Sequence, residues 1–430
     1  MTKRETWAVI AAAAVATAVV VVGVAIHAAN GGLGVDTPPF VMGWRPRIDA
    51  AGAGTALLAL GALVWGAPRV LGLRSGKAFA AVAFGLALAV ALAVNAARSG
   101  TLSWYAVFDL GPDGSWEAGN EIIAGVPALS YGTHFFLDRF AELVPSQPVH
   151  QAGHPPGLPV LIHLVGIDTA RELAALCVVA LAGVAPITFA LGRALELGED
   201  VARRAALLAC ASPALVLFGV TSPDAIFALV GAGAATLLCS RRAPVRAAGA
   251  LVLGLGSMLS WALLAIGAWA FLVVLAREGA RRAVLLAAAC GAAVLAAHGG
   301  LAVLAGYDPI GTLQATGEVY RRGIANTRPY EFWVLGSPVA FLLTLGLPLA
   351  GAWVVASTRR AAPALAVLAV IVASALLGFT KAEVERIWLQ FAPMLCVSAA
   401  MVIDDRRLRP ALALLGVQAL ATSLLFSTIW

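Results

Sequence analysis

The run WAVIAAAAVATAVVVVGVAI, residues 7–26, holds twenty consecutive residues without a charge. A helix of that length covers the roughly 30 Å hydrocarbon core of a bilayer. Lys3 and Arg4 precede it. The run is too long for the apolar region of a cleavable signal and lacks a small-residue cleavage site, so it reads as an uncleaved anchor. The same texture extends outward along the chain. Apolar runs recur at residues 50–67, 78–97, 173–191, 205–220, 225–238, 245–276, 284–304, 332–356, 364–379, 387–403 and 411–428.

Composition agrees with this reading. The chain is 61% hydrophobic and 12% charged, with a mean hydropathy of +0.90, whereas soluble domains carry roughly 25% charge. Apolar residues run continuously instead of alternating, which excludes a membrane barrel. The expected fold is an all-α polytopic bundle of about 11–13 transmembrane helices. Three segments are expected: a two-helix extension at 1–77, a main module at 78–282 with a large loop at 99–153, and carboxy-terminal helices at 283–430 with loops at 305–330 and 380–386.

The net charge of +6 sits mostly in short loops between apolar runs. That is a signal of orientation, not of a nucleic-acid partner. Lys3, Arg4, Arg69, Arg74 and Lys77 belong on the cytoplasmic side by the positive-inside rule, which puts residues 99–153, 305–330 and 380–386 outside. Residues 157–167 are too short to cross alone and read as a partly inserted helix; the alternative is a full crossing, with 245–276 as one long span. The interruption around Gly256–Trp261 favours two short helices meeting there. The five cysteines lie in apolar runs without metal-ligand spacing and read as buried small hydrophobes.

Polar residues concentrate in 99–159. Six of the 23 carboxylates, Asp109, Asp113, Glu117, Glu121, Asp138 and Glu142, fall there with His134, His150 and His154. A carboxylate at a membrane surface can take a proton from a hydroxyl it reaches. Residues 121–140 look amphipathic, with Phe135, Phe136, Leu137 and Phe140 placed to lie at the bilayer interface. His154-Pro155-Pro156-Gly157 reads as a rigid start to a helix, since proline needs no amide partner there. His150 and His154 are four apart, but the prolines oppose the helix that would join them on a metal. Arg321 and Arg322 in one loop and Arg386 in another offer guanidinium forks that match phosphate oxygens.

An acidic first loop, then His154-Pro155-Pro156, then Arg171-Glu172-Leu173 leading a helix that ends in Gly192-Arg193-Ala194-Leu195, then Ser212-Pro213-Ala214 and Ser222-Pro223-Asp224, resembles the GT-C superfamily. These membrane glycosyltransferases use polyprenyl-phosphate sugars; they include protein O-mannosyltransferases, aminoarabinose transferases and actinobacterial cell-envelope mannosyl- and arabinosyltransferases. The resemblance spans about 78–282. It implies inverting transfer of a sugar, mannose or arabinose, from a polyprenyl-phosphate donor to an envelope glycan, glycolipid or protein hydroxyl outside the bacterial cytoplasmic membrane.

The family's loop opens with an Asp-Glu pair; here Asn120-Glu121 stands in its place. The resemblance makes Glu121 or Asp109 the base, and sets His154, with His150 and Asn120, near the substrate. Arg386 is similar to a carboxy-terminal arginine that contacts lipid phosphate in relatives. No metal or cofactor is expected, the lipid-linked sugar being a substrate, and the partners are that donor, the acceptor and membrane lipids. The alternative is a transporter or lipid flippase without covalent chemistry.

Overall fold

The computed structural model describes residues 1–29, 31–100, 103–112 and 114–428. Asp113 therefore lies outside the described residues. The chain is a polytopic helical membrane protein. Among the described residues, seven helices are long and apolar enough to cross a bilayer: Lys3–Ala28, Ala50–Leu71, Gly76–Ser99, Ala170–Ala194, Trp261–Glu278, Ala280–Ala305 and Asp405–Leu425. An eighth span results if Tyr330–Leu345 and Leu347–Thr358, bent by 115°, count as one. The expectation of about 11–13 spans counted most of the apolar runs as full crossings. Three of those runs fold as Asp224–Leu238, Ala243–Gly256 and Ala362–Leu377, of 15, 14 and 16 residues. Such helices reach only about 21–24 Å, short of the ~30 Å core.

Polar residues placed just before the apolar runs set the helix starts. Asp49 accepts from the Gly52 amide at 2.7 Å, and Asp404 from the Arg407 amide at 3.0 Å. Thr169 and Glu172 form a reciprocal capping box, which satisfies amides that have no intrahelical acceptor. Between helices, lipid supplies no hydrophobic drive, so close backbone contact holds the bundle. A Cβ on Gly52 would stand 2.1 Å from the Ala96 carbonyl oxygen, and one on Gly254 2.6 Å from that of Ala293. The alanine and glycine content is thus the means of packing. One buried core draws on all three sequence segments, from Leu33 to Ala419.

The two ends of the bundle differ in chemistry. At one end Arg203 binds Glu199 and the Leu71 and Leu73 carbonyls. There too Arg204 pairs with Asp405, Arg246 with Glu278, Arg241 and Arg277 with Glu196, and Arg359 with Glu5. The opposite end collects the segments around 99–159, 305–330 and 380–386.

The described residues of 103–152 do not form an open loop. They fold into short turns of helix, Trp116–Asn120, Ile122–Tyr131, Thr133–Asp138, Phe140–Leu143 and Val149–Ala152 among them. Phe136, Leu137 and Phe140 are buried, Phe136 and Phe140 with ring centroids 5.2 Å apart, and only Phe135 of the four is exposed. The interfacial face expected there packs inward instead, with Thr133–Asp138 set against Ala280–Ala305 and Phe140–Leu143 against Pro309–Arg322. Gly157–Leu164 is a helix of 8 residues and does not cross. Ala243–Gly256 and Leu264–Glu278 meet at residues 257–263 as two helices. A feature the sequence reading did not foresee joins the chain's extremes: Met42–Trp44 pairs antiparallel with Phe426–Thr428.

Candidate functional site

The first piece of the site is built on 3-10 turns. Ser115 accepts from the Glu117 amide at 3.2 Å and starts Trp116–Asn120. With three residues per turn, positions three apart eclipse, and Asn120 Nδ2 donates to Glu117 Oε2 at 3.3 Å. Glu121 interrupts the two 3-10 helices with extended backbone, φ −78° and ψ 157°, and its side chain is fully buried.

The second piece follows Pro148. His150 sits in the single turn Val149–Ala152. Pro155 and Pro156 lead straight into Gly157–Leu164, as their chemistry predicts. Gly157 seats this helix against the break at 257–263: its amide donates to the Met258 carbonyl at 2.9 Å, and a Cβ there would stand 2.3 Å from the same oxygen.

Two further turns complete the set. Ser222 Oγ donates to Asp224 Oδ2 at 2.5 Å and accepts from the Asp224 amide at 3.1 Å. Ala382 and Glu383 both have positive φ, 62° and 58°, a conformation costing roughly 1–2 kcal/mol per non-glycine residue. Surrounding bonds over-determine it. The Lys381 amide donates to Tyr320 Oη, Lys381 Nζ to the Ala325 and Arg328 carbonyls, and the Ala382 amide to Ser337 Oγ. Strain held in this way is a mark of functional segments.

These pieces converge on His150 and Arg386. His150 Nδ1 lies 3.0 Å from Glu121 Oε1, and Nε2 lies 3.2 Å from Glu117 Oε1. Arg386 Nη1 donates to Asp224 Oδ2 at 2.9 Å, and Nη2 to Glu383 Oε2 at 3.0 Å, with His150 Nε2 also 3.0 Å away. Arg328 donates to the second Glu383 oxygen at 2.8 Å. His150 Nε2 thus stands between a carboxylate and a guanidinium: protonated, it donates to Glu117; neutral, with the proton on Nδ1, it accepts from Arg386.

Electrostatics favour the protonated ring. Burial and the Arg386 charge oppose it, but Glu121 and Glu117 outweigh them and raise the His150 pKa to about 9. Burial works against ionisation of Glu383 too, yet Arg386 and Arg328 hold it at about 2. Glu385, which accepts from the Val41 amide at 2.8 Å, is pushed up to about 7 by burial. His154 is partly buried with its ring 5.1 Å from that of Phe227, and burial lowers it to about 4. Its Nδ1 is enclosed without a hydrogen-bond partner among the described residues. With His150 protonated, the four carboxylates Glu117, Glu121, Asp224 and Glu383 face three cations.

Above this network opens a cleft of about 990 Å³, lined by Glu117, Asn120, His150, Arg328 and Glu383 together with Asp36, Arg45, Trp116 and Tyr320. Four of the sequence-predicted residues, Glu121, His150, Asn120 and Arg386, meet here, and His154 adjoins them. Glu121 does not line the cleft; it lies behind His150. Asp109 is elsewhere: it accepts from the Gly111 amide at 3.0 Å and lines two other clefts of about 500 and 650 Å³. Arg321 and Arg322 are exposed and line none of these clefts, Arg322 pairing with Glu318 one turn back. Arg328, one short turn further on, is the guanidinium that the same loop contributes.

The sequence reading passed over Glu117, Asp224, Arg328 and Glu383 as site residues. Asp224 carried a usable signal, a lone acid in a Ser-Pro-Asp turn between two apolar helices. The carboxylate of Glu117 gave none beyond its membership of the acidic stretch. Comparison with known families, with curated proteins and with solved structures finds no match to this chain.

Proposed function

We propose that the chain is a GT-C-like glycosyltransferase, moving a sugar such as mannose or arabinose from a polyprenyl-phosphate donor to a hydroxyl of an envelope glycan, glycolipid or protein. The observation that carries the reading is His150 held between Glu117 and Glu121 and against Arg386 at the base of a large cleft. Transfer by single displacement needs a carboxylate facing the acceptor and cations near the departing phosphate. Glu117 is the acid of the pair that lines the cleft, so it takes the acceptor proton as the acceptor oxygen bonds to the anomeric carbon. The bond from that carbon to the phosphate oxygen breaks as the new one forms, with inversion, and the polyprenyl phosphate leaves with the electron pair. His150, protonated near neutral pH, is a positioning residue for Glu117, and Glu121 fixes the ring from behind.

The basic clusters at the opposite end of the bundle support an outward-facing site in a bacterial cytoplasmic membrane, by the positive-inside rule. The bent pair Tyr330–Leu345 and Leu347–Thr358 is the feature a transporter would share. Proteoliposomes given a labelled polyprenyl-phosphate sugar and a hydroxyl acceptor decide between them. Covalent product that disappears in Glu117→Gln supports transfer. Labelled substrate crossing the bilayer with no covalent product supports transport.

A further inference from the structure

The span Ala280–Ala305 carries an imidazole, that of His298, near the end that meets the short helical turns. A histidine inside a span is expensive in lipid and marks a functional position. It is 6% exposed, and its ring stacks on that of Trp261 with centroids 5.1 Å apart and planes at 15°. Ser257 decides which nitrogen holds the proton. Its Oγ donates to the Gly254 carbonyl at 2.6 Å, which spends its only hydrogen. His298 Nε2, 3.0 Å from the same oxygen, therefore donates to it, and the neutral ring is left with its lone pair on Nδ1. That nitrogen is enclosed without a hydrogen-bond partner among the described residues, and so is the indole Nε1 of Trp261. One acceptor and one donor thus go unmet on two stacked rings, and buried polar groups in that state call for a ligand or a water.

The two groups together say what they take. A carbonyl only accepts and an ammonium only donates, whereas a hydroxyl does both. Position narrows the source. Between His298 and the end of its helix at Ala305 the chain rises about 10 Å, so the rings lie below the headgroups, at a depth where a charged ligand is unstable. The lipid-facing surface reaches both of them: Leu295, one turn before His298, is 75% exposed, Leu264, three residues after Trp261, is 39% exposed, and Trp261 itself is partly exposed. A ligand dissolved in the bilayer therefore approaches without crossing the bundle. From this geometry we infer that Ser257, Trp261 and His298 form a binding site for the hydroxyl group of an uncharged lipid, of the class of a diacylglycerol or a long-chain alcohol. It shares no lining residue with the His150 cleft, and is joined to that region through the break at 257–263, where the Met258 carbonyl seats Gly157.

The site is independent of the transferase reading, and its test measures binding. The full chain in phosphatidylcholine nanodiscs is photolabelled with a diazirine-bearing diacylglycerol or with its methyl ether, whose oxygen accepts but does not donate, and the labelled peptides are mapped by mass spectrometry. Labelling of residues 257–264 and 295–301 is expected to be at least tenfold stronger with the alcohol than with the ether. His298→Phe, which keeps the stack on Trp261, brings the alcohol down to the level of the ether, and Trp261→Phe weakens labelling by both probes. Melting temperatures within the wild-type range confirm that the variants are folded, and the comparison of alcohol with ether on the wild type decides without them. In protein with isotope-labelled histidine, the Nδ1 resonance of His298, identified by its loss in His298→Phe, shifts as unlabelled diacylglycerol is added. Equal labelling by alcohol and ether overturns the site and marks apolar lipid contact only. So does labelling by the alcohol that both variants leave unchanged. Competition by phosphatidylglycerol equal to that by diacylglycerol overturns the uncharged class, and a resonance that stays in place at saturating diacylglycerol marks a structural water in place of the lipid.

Discussion

Arg386 and Asp224, 162 positions apart, share a hydrogen bond of 2.9 Å with both side chains almost wholly buried. The pair ties the Ser222-Pro223-Asp224 turn to the strained segment at 382–383, and so holds together two parts of the site that no local interaction joins. Breaking a buried pair by removing one partner leaves an uncompensated charge, a loss of roughly 3–5 kcal/mol. Because Arg386 keeps Glu383, Asp224→Asn is expected near the lower end, about 3 kcal/mol. Unfolding in detergent measures it, and the double variant with Arg386→Gln should lose less than the sum of the two single losses.

On the proposed transferase reading, Glu117 is the base and Asp109 a bystander. Glu117→Gln is expected to lower transfer at least 100-fold, in the range of general-base removal, whereas Asp109→Asn stays within about twofold, inside the ~0.5 kcal/mol of substitutions outside the site. Initial rates with a labelled lipid-linked sugar give the comparison. Full activity in Glu117→Gln would remove it from the mechanism.

His150 gives the fold a pH dependence of defined sign. Its folded pKa of about 9 lies above the ordinary 6.5, so its contribution is fully present below 6.5 and is lost as pH rises through 9. Stability should therefore fall between pH 7 and 9, and His150→Gln should flatten that limb. Below pH 7 two groups act in opposition. His154, at about 4, favours the fold increasingly as pH rises from 4 to 6.5, while Glu385, at about 7, favours it less from 4.5 to 7. Melting curves across pH 4–9 for wild type, His150→Gln and Glu385→Gln check the assignment; Glu385→Gln should steepen the rise toward neutral pH.

Gly157 is required by space alone. A methyl group there would stand 2.3 Å from the Met258 carbonyl oxygen, so Gly157→Ala must push the Gly157–Leu164 helix off the break at 257–263. Overpacking of this kind costs about 1–3 kcal/mol. Gly85→Ala in a span helix, where nothing stands within 4 Å, is the neutral control. The melting temperature should drop only for the first variant, and transfer should fall with it as the adjacent His154 shifts.

By itself the sequence determined that this is a helical membrane protein, because continuous apolar runs and scarce charge leave no other way to satisfy the backbone in lipid. It also determined which stretches are polar enough to carry chemistry, since His150, Glu121 and Arg386 stand out against an apolar chain. The 8-residue helix after Pro156 and the paired helices around 257–263 were legible for the same reason: proline and glycine act locally. Only the tertiary structure decided which polar residues meet. Glu117 and Glu121 reach His150 through 3-10 turns whose spacing no helical or strand period announces. Asp224, Arg328 and Glu383 gather on Arg386 across distant segments, while Asp109, Arg321 and Arg322, equally prominent in the sequence, lie apart. Periodicity and composition report the environment each residue needs, but the pairing of buried charges is set by which helix ends the small-residue packing brings together.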